Sequence, residues 1–188
     1  MLSFIVVTAN IFCLLVLYRA TELRPATKTF MTSLAVSDLL LGLFAISTIT
    51  LFLAFEQFWT MLHSALFCFM NAFLAVYLTS TGGYSVLFLN IDALIAIVKP
   101  LRYPMIMTKT RAVFITLVIW IGIGFWDLLS TTLRILEKSI SYKPDFRICF
   151  VDFQVSITAI VATSWNVFIY YFRLSSFRKV AKQILDIT

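Results

Sequence analysis

Residues 64–104 read SALFCFMNAFLAVYLTSTGGYSVLFLNIDALIAIVKPLRYP, and no charged side chain occurs between Ser64 and Ile91. An uncharged run of this length crosses a hydrocarbon core of about 30 Å even when tilted, so it predicts a transmembrane helix. The run closes with Asp92, a short apolar stretch, and then Lys99, Pro100 and Arg102. The fold class follows from what flanks it.

Hydrophobic residues make up 61% of the 188-residue chain and charged residues 13%, well below the roughly 25% charged share of a soluble domain. The chain is therefore read as an integral membrane protein, an all-α polytopic helix bundle. Its net charge of +6 does not suggest nucleic acid, because the basic residues sit in short groups between apolar spans and read as topology signals. Cys13, Cys68 and Cys149 form no metal-binding spacing and His63 has no partner motif, so no metal site is expected. No catalytic pair, nucleotide loop or inverted repeat marks an enzyme or a transporter. Met1 precedes an apolar run without a basic leader or cleavage site, so the first span is expected to act as its own insertion signal.

Five spans are predicted in a single domain over 1–188, at about 1–18, 30–55, 65–98, 112–132 and 153–172. A short amphipathic helix is expected over about 174–186. There Leu174, Phe177, Ala181, Ile184 and Leu185 share a face, with Arg178, Lys179 and Lys182 largely off it, as an interfacial helix on an anionic leaflet requires. Eleven Lys and Arg fall on one side of this arrangement, against four on the other: Arg134, Lys138, Lys143 and Arg147. Basic residues are retained on the cytoplasmic face, which places the N-terminus outside and the C-terminus in the cytoplasm.

The stretch from Ile91 to Tyr103 resembles the third helix and second intracellular loop of rhodopsin-like (class A) G-protein-coupled receptors, with Asp92-Ala93-Leu94 where that family carries Asp-Arg-Tyr. Asn10 and Asp38 fall where the family has its first-helix Asn and second-helix Asp. Cys68 precedes Asp92 by 24 residues, and Trp120 follows it by 28, matching the family's fourth-helix Trp. Asn166-Val167-Phe168-Ile169-Tyr170 resembles the seventh-helix Asn-Pro-x-x-Tyr motif with Val for Pro. A fifth-helix reading of the last span keeps Tyr170 or Tyr171, the basic exit and Cys149, but lacks that helix's usual Pro. On the seventh-helix reading, the fifth and sixth helices are missing. Loss of two spans preserves the topology of the tail.

The resemblance implies roles for particular residues. Asn10, Asp38 and Asn166 correspond to a polar pocket that binds sodium and links ligand binding to activation. Gly82 and Ala162 stand where the family usually adds a Ser and an Asn, so two readings stay open: a sodium ion with fewer oxygens, or a protonated Asp38 in a structural hydrogen-bond network. No other cofactor is implied. Cys68 and Cys149 correspond to the disulfide between the third helix and the second extracellular loop, with two unpaired thiols as the alternative. Asp92, Ala93 and Tyr170 fall in the coupling region, where Ala93 can neither form the family's ionic lock nor contact a G protein. Asp92 is then expected to be a solvated anchor at the membrane edge, near Lys99 or Arg102. Asp127 is expected to be a wet residue at the outer end of its span.

Ala75, Val76 and Thr79 correspond to the ligand-facing part of the third helix. Aminergic receptors carry an Asp where this chain has Ala75, so the extracellular ligand is not expected to be a monoamine. The resemblance thus implies a divergent or truncated plasma-membrane receptor in which ligand binding would shift a two-state bundle, with G-protein coupling impaired. The alternatives are a non-signalling partner of a full-length receptor or of a second copy, and an incomplete gene product.

Overall fold

The computed structural model describes residues 2–54, 65–136, 142–143, 148–149 and 182–183. Helix α1 covers Leu2–Arg19, α2 Pro25–Ala54, α3 Ala65–Val98, α4 Tyr103–Ile106 and α5 Lys109–Leu136. A minimal antiparallel ladder pairs β1 (Tyr142–Lys143) with β2 (Ile148–Cys149). The architecture is an all-α transmembrane helix bundle. Among the described residues, α2, α3 and α5 are long and apolar enough to cross a membrane, and α1 is a shorter apolar helix. The expected span at 153–172 lies outside the described residues, as does the amphipathic helix apart from helical Lys182 and Gln183.

Each boundary has a local cause. Helix α2 opens at Pro25 rather than at Phe30, because proline tolerates the first helical position, where no backbone donor is needed. Helix α3 stops at Val98 because Pro100 disfavours helical geometry at Lys99. The chain turns there, Arg102 N–H donating to the Lys99 carbonyl at 3.2 Å. The basic loop expected between the third and fourth spans contains the single turn α4, with Pro at its start. Arg111 Nη1 donates to the Met105 and Ile106 carbonyls at 3.0 and 2.9 Å and so satisfies its open C-terminal end. Within the spans, hydroxyls bond back to their own helix: Thr32 to the Lys28 carbonyl, Thr81 to Tyr77 and Thr116 to Ala112. That removes the cost of a bare hydroxyl in hydrocarbon.

Helices α2 and α3 form the centre, with α1 packed on α2, and α5 packed on both α3 and α2. One core joins Cys13, Val16 and Leu17 of α1 to Met31, Leu34 and Ala35 of α2. A second joins Ala26 and Phe30 to Tyr103, Met107 and Ala112, locking α4 and the start of α5 beneath α2. Glycine sets the α1–α2 approach: a Cβ on Gly42 would lie 2.9 Å from Val7 Cγ2. On the far side of α5, Phe114, Val118, Ile121, Phe125 and Trp126 are exposed, an apolar face that suits lipid and not water.

Candidate functional site

Two carboxylates are buried along the central helices. Asp38, in α2, is 1% exposed, beside Ser37, which is fully buried and donates to the Leu34 carbonyl at 2.8 Å. Opposite them lies Gly82 of α3, where a Cβ would stand 3.2 Å from Ser37 Oγ and 3.4 Å from Asp38 Oδ1. A serine at this position would press its Cβ against the α2 oxygens, so the glycine allows close approach of the two backbones. Asn10 is equally buried on α1, and its side-chain amide donates to the Val6 carbonyl at 2.9 Å. Asn166, Ala162 and Tyr170 lie outside the described residues.

Asp92, near the end of α3, is fully buried, and this corrects the expectation of a solvated anchor near Lys99 or Arg102. The Thr27 hydroxyl, in the first turn of α2, donates to Asp92 Oδ2 at 2.5 Å. The Tyr103 hydroxyl, from α4, donates to Oδ1 at 2.6 Å. Both oxygens are thus met by neutral donors, because the turn at Pro100 folds α4 back under the end of α3. The Arg24 guanidinium lies 4.7 Å from the Tyr103 ring centroid, within cation–π range. Burial, and then the hydrogen bond to Asp92, push the Tyr103 phenol up to about 12, while Thr27 and Arg24 act in the opposite direction. Ala93 is half-buried beside this cluster.

A third polar group ties the spans together. Trp120 Nε1 of α5 donates to Ser33 Oγ of α2 at 2.9 Å, and Ser33 Oγ lies 3.0 Å from Ser85 Oγ of α3. The Tyr77 hydroxyl returns a bond to the Trp120 carbonyl at 3.1 Å. Farther along α5, Asp127 is 6% exposed, which corrects its reading as a wet end-residue. Gly124 sits directly on the Tyr77 ring, and that close approach of α5 to α3 draws Asp127 inward. The Ser80 hydroxyl bonds its carboxyl, and Oδ2 has no partner among the described residues.

The remaining candidates are scattered. Ala75, Val76 and Thr79 are half-buried on α3. Cys68 lies in α3 and Cys149 in β2, with β2 packed against α3, but the side chains of both lie outside the described residues. Cys13 is buried with a free thiol. Among the described residues, no group of His, Cys, Asp and Glu could hold a metal ion. Thr27, Tyr103 and Arg24 escaped sequence reasoning. The available signal was a hydroxyl just inside the Pro25 helix start and a tyrosine just past the Pro100 turn.

The sequence matches the family described as 7 transmembrane receptor (rhodopsin family) over residues 9–184. The chain belongs to the rhodopsin family of receptors. Its similarity to canine adenosine receptor A2b is 36% identity over 129 residues, covering 65% of this chain and 36% of that receptor. The octopamine receptor beta-1R of Drosophila melanogaster is 29% identical over 175 residues, 89% of this chain and 34% of the receptor. Canine histamine H2 receptor is 31% identical over 123 residues, 64% of this chain and 33% of the receptor. This rhodopsin-family chain therefore spans about a third of the length of the curated relatives it matches. Asp38, Asp92 and Trp120, which carried the resemblance, are buried or half-buried on the inner faces of its helices.

Proposed function

We propose that this rhodopsin-family chain is a divergent plasma-membrane receptor that senses an extracellular ligand, has its N-terminus outside, and couples to G proteins weakly or not at all. One observation carries the coupling part of this reading. Asp92 is fully engaged by Thr27 and Tyr103, while the adjacent Ala93 offers a methyl group where the family resemblance calls for a guanidinium. A methyl group supplies neither the ionic lock nor a charged contact to a G protein. Ala75 gives an ammonium no carboxylate, which favours a ligand resembling uncharged adenosine over the octopamine or histamine of the other relatives. Within the same reading, Ala75, Val76 and Thr79 contact ligand, Cys68 and Cys149 form the extracellular disulfide, and Asn10 and Asp38 belong to the polar pocket beneath.

Guanine-nucleotide exchange in membranes from cells expressing the full chain tests the proposal, with surface delivery checked by an N-terminal epitope on intact cells. The wild-type chain should stay at the level of untransfected membranes, and its Ala93→Arg variant is measured beside it. A rise in the delivered wild-type chain would refute impaired coupling, whereas a rise in Ala93→Arg alone would assign the impairment to the missing guanidinium. Absence of the epitope from the cell surface would refute the localisation.

A further inference from the structure

The seam between α5 and the first half of α3 holds a carboxylate whose hydrogen bonding is incomplete. Asp127 of α5 is 6% exposed, the Ser80 hydroxyl bonds its carboxyl, and Oδ2 meets no donor among the described residues. The nearby Tyr77 hydroxyl is committed to the Trp120 carbonyl at 3.1 Å, and the Tyr77 ring lies against Gly124. Basic residues are distant as well. Helix α3 carries none, and on α5 the nearest, Arg134, stands about 10 Å of helix rise beyond Asp127. A buried carboxylate oxygen without a donor keeps its desolvation cost uncompensated, so Oδ2 is an acceptor held open. The adjoining wall is aromatic. Phe69, Phe73 and Tyr77 form a half-buried ladder along α3, with centroids 6.3 and 5.6 Å apart and rings within 7° and 3° of parallel.

We propose that Asp127 Oδ2 accepts a hydrogen bond from the extracellular ligand, and that this ligand is an uncharged planar ring with an N–H or O–H on its edge. The inference rests on the reading of Val76 and Thr79 as ligand-facing. Ser80 follows Val76 by one helical turn, so its partner Asp127 meets α3 on the face that Val76 shares. Asp127 thus supplies from α5 the polar anchor that Ala75 does not supply from α3. An ammonium suits the site less well. It brings three protons to one open acceptor, and those left over would lie bare against Phe73 and Tyr77. A single donor on a ring edge leaves none bare, and the ring itself suits offset or edge contact with the ladder.

Thermal unfolding of the full chain in detergent, titrated with indole and with benzofuran, tests this, because the two share a shape and differ in the single N–H. Wild type should bind indole about tenfold more tightly than benzofuran, the worth of one hydrogen bond to a carboxylate. Asp127→Leu should bind both alike. Asp127→Asn keeps the size of the side chain should the leucine variant not fold, and it should narrow the preference severalfold. Equal binding of the two probes by wild type would leave Oδ2 to a buried water and overturn the proposal, as would binding of neither. A preference that survives both variants overturns it too, since the N–H is then met elsewhere. Phenethylamine bound in place of indole, and lost in Asp127→Leu, would overturn it by assigning the carboxylate to an ammonium. Val76→Trp, which should abolish indole binding, separates the inference from the reading beneath it. Loss of binding there with the preference intact in the Asp127 variants would keep the ligand site and refute Asp127. A preference that persists in Val76→Trp and vanishes in Asp127→Leu would keep the acceptor and refute the ligand site.

Discussion

Asp92 and Asp127 are both buried carboxylates, yet they differ in what surrounds them. Asp92 has a hydroxyl on each oxygen, whereas Asp127 Oδ2 meets none among the described residues. A buried carboxylate left short of one donor costs about 1–3 kcal/mol, so the Asp92 cluster contributes stability that Asp127 does not. Tyr103→Phe keeps the ring against Ala26, Phe30 and Met107 but removes the donor to Oδ1. It should lower the thermal stability of the detergent-solubilised chain by about 1–3 kcal/mol. The pH dependence carries the same signature. Because the folded phenol is pushed up to about 12 from an ordinary value of about 10, its contribution is complete below about pH 10 and is lost as the pH rises through the folded value. Alkaline titration followed by tyrosinate absorbance should show a late-ionising tyrosine in wild type that is absent from Tyr103→Phe. If the two curves differ only by an ordinary tyrosine, Tyr103 is not bonded to a buried carboxylate in solution.

At the scale of the helices, separation is set by glycines more than by large side chains. Gly42→Ala forces a methyl group to within 2.9 Å of Val7 Cγ2, with the Ser3 carbonyl 3.5 Å away, and β-branched Val7 has no long flexible arm with which to retreat. The substitution should destabilise the α1–α2 pair by about 1–3 kcal/mol, in line with overpacking of a tight core. Gly83→Ala, where nothing lies within 4 Å, should cost nothing, since alanine also favours the helix. Equal melting temperatures for the two variants would mean that α1 does not pack closely on α2. These elements were legible in unequal measure. The long apolar runs, uncharged in α3 and each interrupted by a single carboxylate in α2 and α5, announced these helices because hydrocarbon tolerates little else. The single turn α4 did not stand out, since four residues carry no periodicity and Tyr103 finds its partner on another helix. The burial of Asp127 was hidden for a related reason: it follows from Gly124 meeting Tyr77, a contact between helices that hydropathy along one of them does not record.

In the molecule as a whole, the contacts around Asp92 fix which ends of the helices lie together. Thr27 at the start of α2, Asp92 near the end of α3 and Tyr103 in α4 are joined directly, and Met107 and Ala112 bring the start of α5 into the same core. Arg24, Lys28, Lys99, Arg102, Lys109 and Arg111 therefore gather at one end of the bundle, although they belong to two connections far apart in sequence. Basic residues concentrated in short connections tend to be retained in the cytoplasm during insertion, which predicts that the opposite ends of α3 and α5 face outward. Exposed threonines at the two ends of α5 allow a direct measurement. A cysteine introduced as Thr110→Cys should react with a membrane-impermeant maleimide only after cells are permeabilised, whereas Thr132→Cys should react on intact cells. The reverse pattern would invert the protein in the membrane. Ala93 would then lie on the side of the membrane that a G protein never reaches.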